Sequence, residues 1–126
     1  IKYFPVDPRY GFQPFEAQQL GFFLYKDAKL ARAAGKIMLQ LYKAFVENGC
    51  SLAEINPLVV TPQGEVIAVD AKMVIDDNEL ERRADLEALR DESSEAPSEV
   101  DARKANLTFI KLDGNVGSVV NGAGLA

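Results

Sequence analysis

Residues 51–73 read Ser51-Leu-Ala-Glu-Ile-Asn-Pro-Leu-Val-Val60, then Thr61-Pro62-Gln63-Gly64, then Glu65-Val-Ile-Ala-Val-Asp-Ala-Lys-Met73. The flanks are rich in Val and Ile with period-2 alternation, which predicts two strands. Pro62 presets the φ of a type I turn, and Gly64 suits the left-handed position that closes a three-residue loop with a bulge. That turn fixes the register: Thr61 faces Glu65, Asn56 faces Asp70 and Glu54 faces Lys72. Opposed residues share a face of a two-stranded ribbon. Glu54, Asn56, Asp70 and Lys72 therefore form one polar face, and Ile55, Val59, Ile67, Val69 and Ala71 form the expected core face. A slip of one residue would send each side chain to the other face.

The chain around this hairpin has 126 residues, about one domain's worth. Its 48% hydrophobic share is enough for a core, which argues against wholesale disorder. The net charge of −5 argues against nucleic acid as the main partner. With a single cysteine, Cys50, no internal disulfide can form, and a reducing compartment is the simplest setting. No apolar run approaches a membrane span and no signal-peptide pattern opens the chain. The sequence contains no histidine, so any imidazole chemistry must come from another chain. It begins at Ile1 and stops at Leu125-Ala126, just after a Gly-rich stretch, and reads as part of a longer protein.

Upstream of the hairpin, residues 1–14 carry three prolines and a glycine and form an extended connector, with Phe4, Tyr10 and Phe12 packing on the next segment of the chain. Pro14 suits the first turn of a helix running to about Leu24, with Phe15, Leu20, Phe23 and Leu24 as core candidates. Asp27 is a candidate N-cap for a longer helix. There Leu30, Ala34, Ile37, Met38, Leu41 and Phe45 recur at helical spacing, and Asn48-Gly49 ends it.

Downstream, residues 76–104 hold 11 Asp or Glu against 5 Lys or Arg, so the acidity is local: −6 there and +1 elsewhere. Two solvated helices are expected, 85–91 and 98–105, the second capped by Ser98 with Asp101. Residues 107–112 and 116–120 are expected strands around an Asp113-Gly114-Asn115 turn. The second runs into Asn121-Gly122-Ala123-Gly124, a loop of the kind that offers backbone N–H groups to anions.

On the polar hairpin face, Asn56 and Asp70 supply one neutral and one anionic oxygen. A Mg²⁺ ion beside a nucleotide uses one or two carboxylates, phosphate oxygens and waters, which such a pair satisfies. Zinc fits poorly without His and with one Cys. Lys72 can neutralise Glu54 or approach a phosphate. The plainer reading is a solvated polar face with a cross-strand Glu–Lys pair.

Glu54-Ile-Asn-Pro-Leu58, Val69-Asp-Ala-Lys72 and Leu112-Asp-Gly-Asn-Val-Gly117, leading into Val120-Asn-Gly-Ala-Gly-Leu-Ala126, resemble the β subunit of succinyl-CoA synthetase (succinate–CoA ligase). The resemblance implies an α+β, α/β architecture: the C-terminal part of an ATP-grasp domain over residues 1–105, then from 106 the start of a flavodoxin-like CoA-ligase domain. It implies synthesis of succinyl-CoA from succinate, CoA and ATP or GTP, through a phosphohistidine on an α subunit. By the same resemblance Asn56 and Asp70 are Mg²⁺ ligands, Glu54 meets the phosphohistidine loop and Asn121 lies at the substrate site. Nucleotide-base contacts and the phosphate-covering Gly-loop would lie outside the segment, leaving it inactive alone. The implied location is the cytoplasm, or the mitochondrial matrix in a eukaryote. Malate–CoA ligase, the related part of ATP-citrate lyase, and a non-catalytic interaction module of the same fold are the alternatives.

Overall fold

The computed structural model describes residues 1–105, 107 and 109–121. Its contacts divide the chain into two compact units, Ile1–Ala88 and Leu89–Ala126.

The first unit opens with the extended connector. Phe4 meets Phe12 edge-on with centroids 6.1 Å apart, and Phe12 lies 5.8 Å from Tyr42. Tyr10 does not join them; it is exposed, with the Arg9 guanidinium over its ring. Helix α1 spans Pro14–Leu24, with Pro14 in its first turn and Glu16 accepting the Gln13 N–H at 2.7 Å. Helix α2 spans Ala28–Glu47. The Asp27 carboxylate accepts the N–H groups of Lys29 and Leu30 at 2.9 Å, the expected N-cap. Gly49 has φ +56 and ends the helix in the left-handed region.

The two helices meet through small residues. Ala17 and Gly21 of α1 are buried against Ala31, Ala34 and Gly35 of α2. The backbones lie so close that a Cβ on Gly21 would come within 2.1 Å of the Ala31 carbonyl oxygen, and one on Gly35 within 2.9 Å of the Ala17 oxygen. This corrects the expected core face of α1. Phe15 and Phe23 are 69% and 61% exposed and Leu24 is exposed as well, because the seam admits only residues without bulk. Leu20 is half-buried. On α2 the predicted stripe is right in position: Ala34 is buried, and Leu30, Ile37, Met38, Leu41 and Phe45 are half-buried.

The hairpin follows as β1 (Cys50–Ile55), β2 (Leu58–Val60), β3 (Val66–Ala68) and β4 (Ala71–Ile75). β1 pairs antiparallel with β4, and β2 with β3. Cys50 is buried at the start of β1. The register is the one the turn dictates, with Glu54 opposite Lys72, Ile55 opposite Ala71 and Leu58 opposite Ala68; a bulge appears only between Cys50 and Leu52. Thr61 N–H donates to Glu65 O at 2.8 Å and Gly64 N–H to Thr61 O at 2.9 Å, closing the loop with Gly64 at φ +75. Each flank is interrupted where a continuous strand was expected, at Asn56-Pro57, whose peptide bond is cis, and at Val69-Asp70. Proline has no N–H for the ladder, so a strand interior containing it breaks there. The expected core face is also only partly covered. Helix α2 packs on β1 and β3, leaving Ile55 and Val59 half-buried, whereas Val69 is 61% exposed and Ile67 and Ala71 are exposed.

Two single-turn helices close this unit, α3 (Asp77–Leu80), capped by Asp76, and α4 (Ala84–Glu87). The latter is shorter than the helix expected over 85–91. In the second unit a 3₁₀ turn spans Glu92–Ser94, and α5 runs Pro97–Lys104. Its N-cap is Ala96, not Ser98, because Pro97 takes the first helical position, where its missing N–H costs nothing. Glu95 accepts from Arg103 and from Arg90, and these guanidinium donors hold its carboxyl below the usual range. The expected strands at 107–112 and 116–120 are absent among the described residues, as is the pairing a strand requires. Residues 106, 108 and 122–126 of those expectations, including the Gly122-Ala-Gly124 loop, lie outside the described residues.

Candidate functional site at the hairpin

The polar face is built by the ladder. Asn56 N–H donates to Asp70 O at 3.1 Å and Val69 N–H to Pro57 O at 3.1 Å, so Asn56 and Asp70 form a rung even though both lie in the gaps between strands. The Asn56 side-chain Nδ2 donates to Glu54 Oε1 at 3.2 Å. This turns the amide so that its carbonyl oxygen faces away from the hydrogen bond. Asp70 Oδ1 accepts the Ala71 N–H at 2.9 Å, leaving its second oxygen available. Glu54, Asn56, Asp70 and Lys72 are all exposed.

Three of the four predicted site residues, Glu54, Asn56 and Asp70, are thus brought together by one ribbon. The fourth, Asn121, is an exposed residue of the second unit. No cluster of three or more His, Cys, Asp or Glu side chains suited to a metal occurs among the described residues. Any ion at this face would take one amide oxygen and one carboxylate oxygen from the chain, with the rest of its shell from phosphates and water. That donor set fits Mg²⁺, a hard cation usually bound with few protein ligands. It does not fit a closed structural site. No described helix is long and apolar enough to cross a membrane.

What sequence reading missed is the pair of gaps that carry the two ligand candidates. The signal was present in Pro57, a residue that cannot continue a ladder.

Residues 1–60 match the model of the ATP-grasp domain family. Over its whole length the chain is similar to β subunits of ADP-forming succinate–CoA ligases. It is 77% identical over 126 residues to the "Succinate--CoA ligase [ADP-forming] subunit beta" of Gemmatimonas aurantiaca, covering 100% of the chain and 33% of that protein. The subunit of the same name from Bacillus subtilis is 50% identical over the same span, and that from Acidiphilium cryptum is 53% identical over 96% of the chain. The chain spans about a third of the length of the curated relatives it matches.

Proposed function

We propose that this hairpin is the metal-binding half-site of a succinate–CoA ligase β subunit. The complete subunit, paired with an α subunit, would make succinyl-CoA from succinate, CoA and ATP or GTP. The observation that carries this is the Asn56–Asp70 backbone rung, which sets an amide and a carboxylate side chain at facing positions of one exposed ribbon, each with one polar atom engaged. The 77% identity to a subunit of that name supports it independently. Mg²⁺ held there would neutralise charge on the nucleotide phosphates.

The chain's own residues position that chemistry. Asn56 and Asp70 face each other across the ribbon because the Pro62–Gly64 turn locks their register. Glu54, fixed by the Asn56 amide, presents a carboxylate able to accept an imidazole N–H and stabilise a charged ring. In this reading the histidine is carried by the α subunit; the 126 residues here contain none. In this reading residues 1–105 complete an ATP-grasp domain, residues from 106 open a flavodoxin-like CoA-ligase domain, and Asn121 contacts the carboxylic acid substrate.

The test uses the full-length subunit with its α subunit. Asp70→Ala and Asn56→Ala are expected to lower nucleotide-dependent phosphorylation of the α-subunit histidine and to raise its Mg²⁺ requirement. Unchanged phosphorylation at limiting Mg²⁺ would remove the metal assignment.

A further inference from the structure

We propose that Lys72 is a substrate-contacting residue whose ammonium group meets the phosphoryl group transferred from the nucleotide. This rests on the reading of the hairpin as a metal half-site and adds a role for a residue outside the ligand pair.

The ladder places Lys72 directly opposite Glu54. Facing residues of opposite charge on one ribbon ordinarily pair. Here they do not. The Glu54 carboxylate is turned along its own strand, where Oε1 accepts from the Asn56 amide at 3.2 Å. Lys72 is exposed and makes no ion pair among the described residues. The ribbon therefore carries an uncommitted cation on the same face as two carboxylates.

Electrostatics gives that cation a task. Glu54 and Asp70 make the face negative by themselves, yet in this reading a polyphosphate must approach it. A divalent ion at the Asn56–Asp70 rung compensates one end of that approach. The Glu54–Lys72 rung lies two residues further along, about 7 Å away at the usual strand rise. As a phosphoryl group moves to a histidine nitrogen near Glu54, its bond to the nucleotide oxygen breaks, the nucleoside diphosphate leaves, a phosphorus–nitrogen bond forms, and the group travels past Lys72. During transfer its charge spreads over three equatorial oxygens, and positioned cations are what stabilise it. A lysine suits this position better than an arginine would, because a compact ammonium on a flexible stem can follow a group that moves. The alternative role, neutralising Glu54, is the one the Glu54–Asn56 hydrogen bond disfavours.

The full-length subunit with its α subunit, carrying Lys72→Met or Lys72→Arg, tests the contact by calorimetric binding of two Mg²⁺-nucleotide probes, a non-hydrolysable triphosphate and a diphosphate. Loss of a charge-assisted hydrogen bond should weaken triphosphate binding about tenfold or more in Lys72→Met. The diphosphate should change much less, and Lys72→Arg should recover part of the loss. Equal losses for both nucleotides, or none, would overturn the proposal. A second comparison uses Glu54→Gln as background. If Lys72 touches phosphate, Lys72→Met costs the same triphosphate affinity there as in the parent. If the cost disappears, Lys72 acts only on Glu54 and the proposal fails. A parallel Asp70→Ala arm keeps the underlying reading separate: loss of Mg²⁺ dependence there bears on the metal site, whereas the triphosphate-over-diphosphate preference bears on Lys72.

Discussion

Arg83 shows how single side chains tie the acidic segment to the helical layer. Its Nη1 donates to the Glu47 carbonyl at 2.8 Å, satisfying an orphan acceptor at the end of α2. Its Nε and Nη2 reach both oxygens of Asp85 at 2.9 and 2.8 Å. The guanidinium hydrogen bonds hold the Asp85 carboxyl down at about 2. A folded pKa below the unfolded value means the stabilisation is present above the unfolded pKa and disappears as pH falls toward 2. The parent should therefore melt above Asp85→Asn at neutral pH, with a gap that stays constant down to about pH 4 and closes toward pH 2. A gap that persisted at pH 2 would show that the aspartate acts through something other than its charge. Both groups are open to solvent, so the effect should shrink in high salt.

At the scale of elements, the decisive contact is the α1–α2 seam. A Gly→Ala change within a helix ordinarily gains about 1 kcal/mol from propensity. At Gly21 the added methyl would meet a backbone oxygen at 2.1 Å, which no side-chain rotation relieves. Overpacking costs typically about 1–3 kcal/mol, so the clash outweighs the propensity. Gly21→Ala should lower stability in urea unfolding, and Gly35→Ala, with its 2.9 Å approach, should do so less. A stabilised Gly21→Ala would mean the helices separate at little cost. The seam also shows where sequence reading works. The hairpin register was legible because turn chemistry is local: Pro62 and Gly64 set it without reference to anything distant. The helix caps at Asp27 and Gly49 were legible for the same reason. The inward face of α1 was not, because large apolar residues suggest burial whereas close backbone approach selects small ones, and only the partner helix decides which applies. The strands expected beyond residue 106 failed differently. Strand composition was present, but a strand exists only with a neighbour to pair with. At the site, the grouping of Glu54, Asn56 and Asp70 followed from register alone, but the break at Pro57 and the turning of Glu54 away from Lys72 required the three-dimensional structure.

At the scale of the molecule, little of the apolar surface is covered. Among the described residues the buried apolar side chains are Ala17, Ala31, Ala34, Cys50 and Val100, and no large one is fully buried. Phe15, Phe22, Phe23, Val69 and Leu89 are exposed, side chains that in water alone would favour association. Because the denaturant slope scales with area buried on folding, the 126-residue chain should unfold in urea with a lower m than a compact domain of its length. It should also enhance the fluorescence of an apolar-surface dye such as ANS in native buffer, before any denaturant is added. A steep single transition with no dye binding would mean that these apolar faces are covered in solution, and a concentration-dependent transition would place the cover on a second copy of the chain.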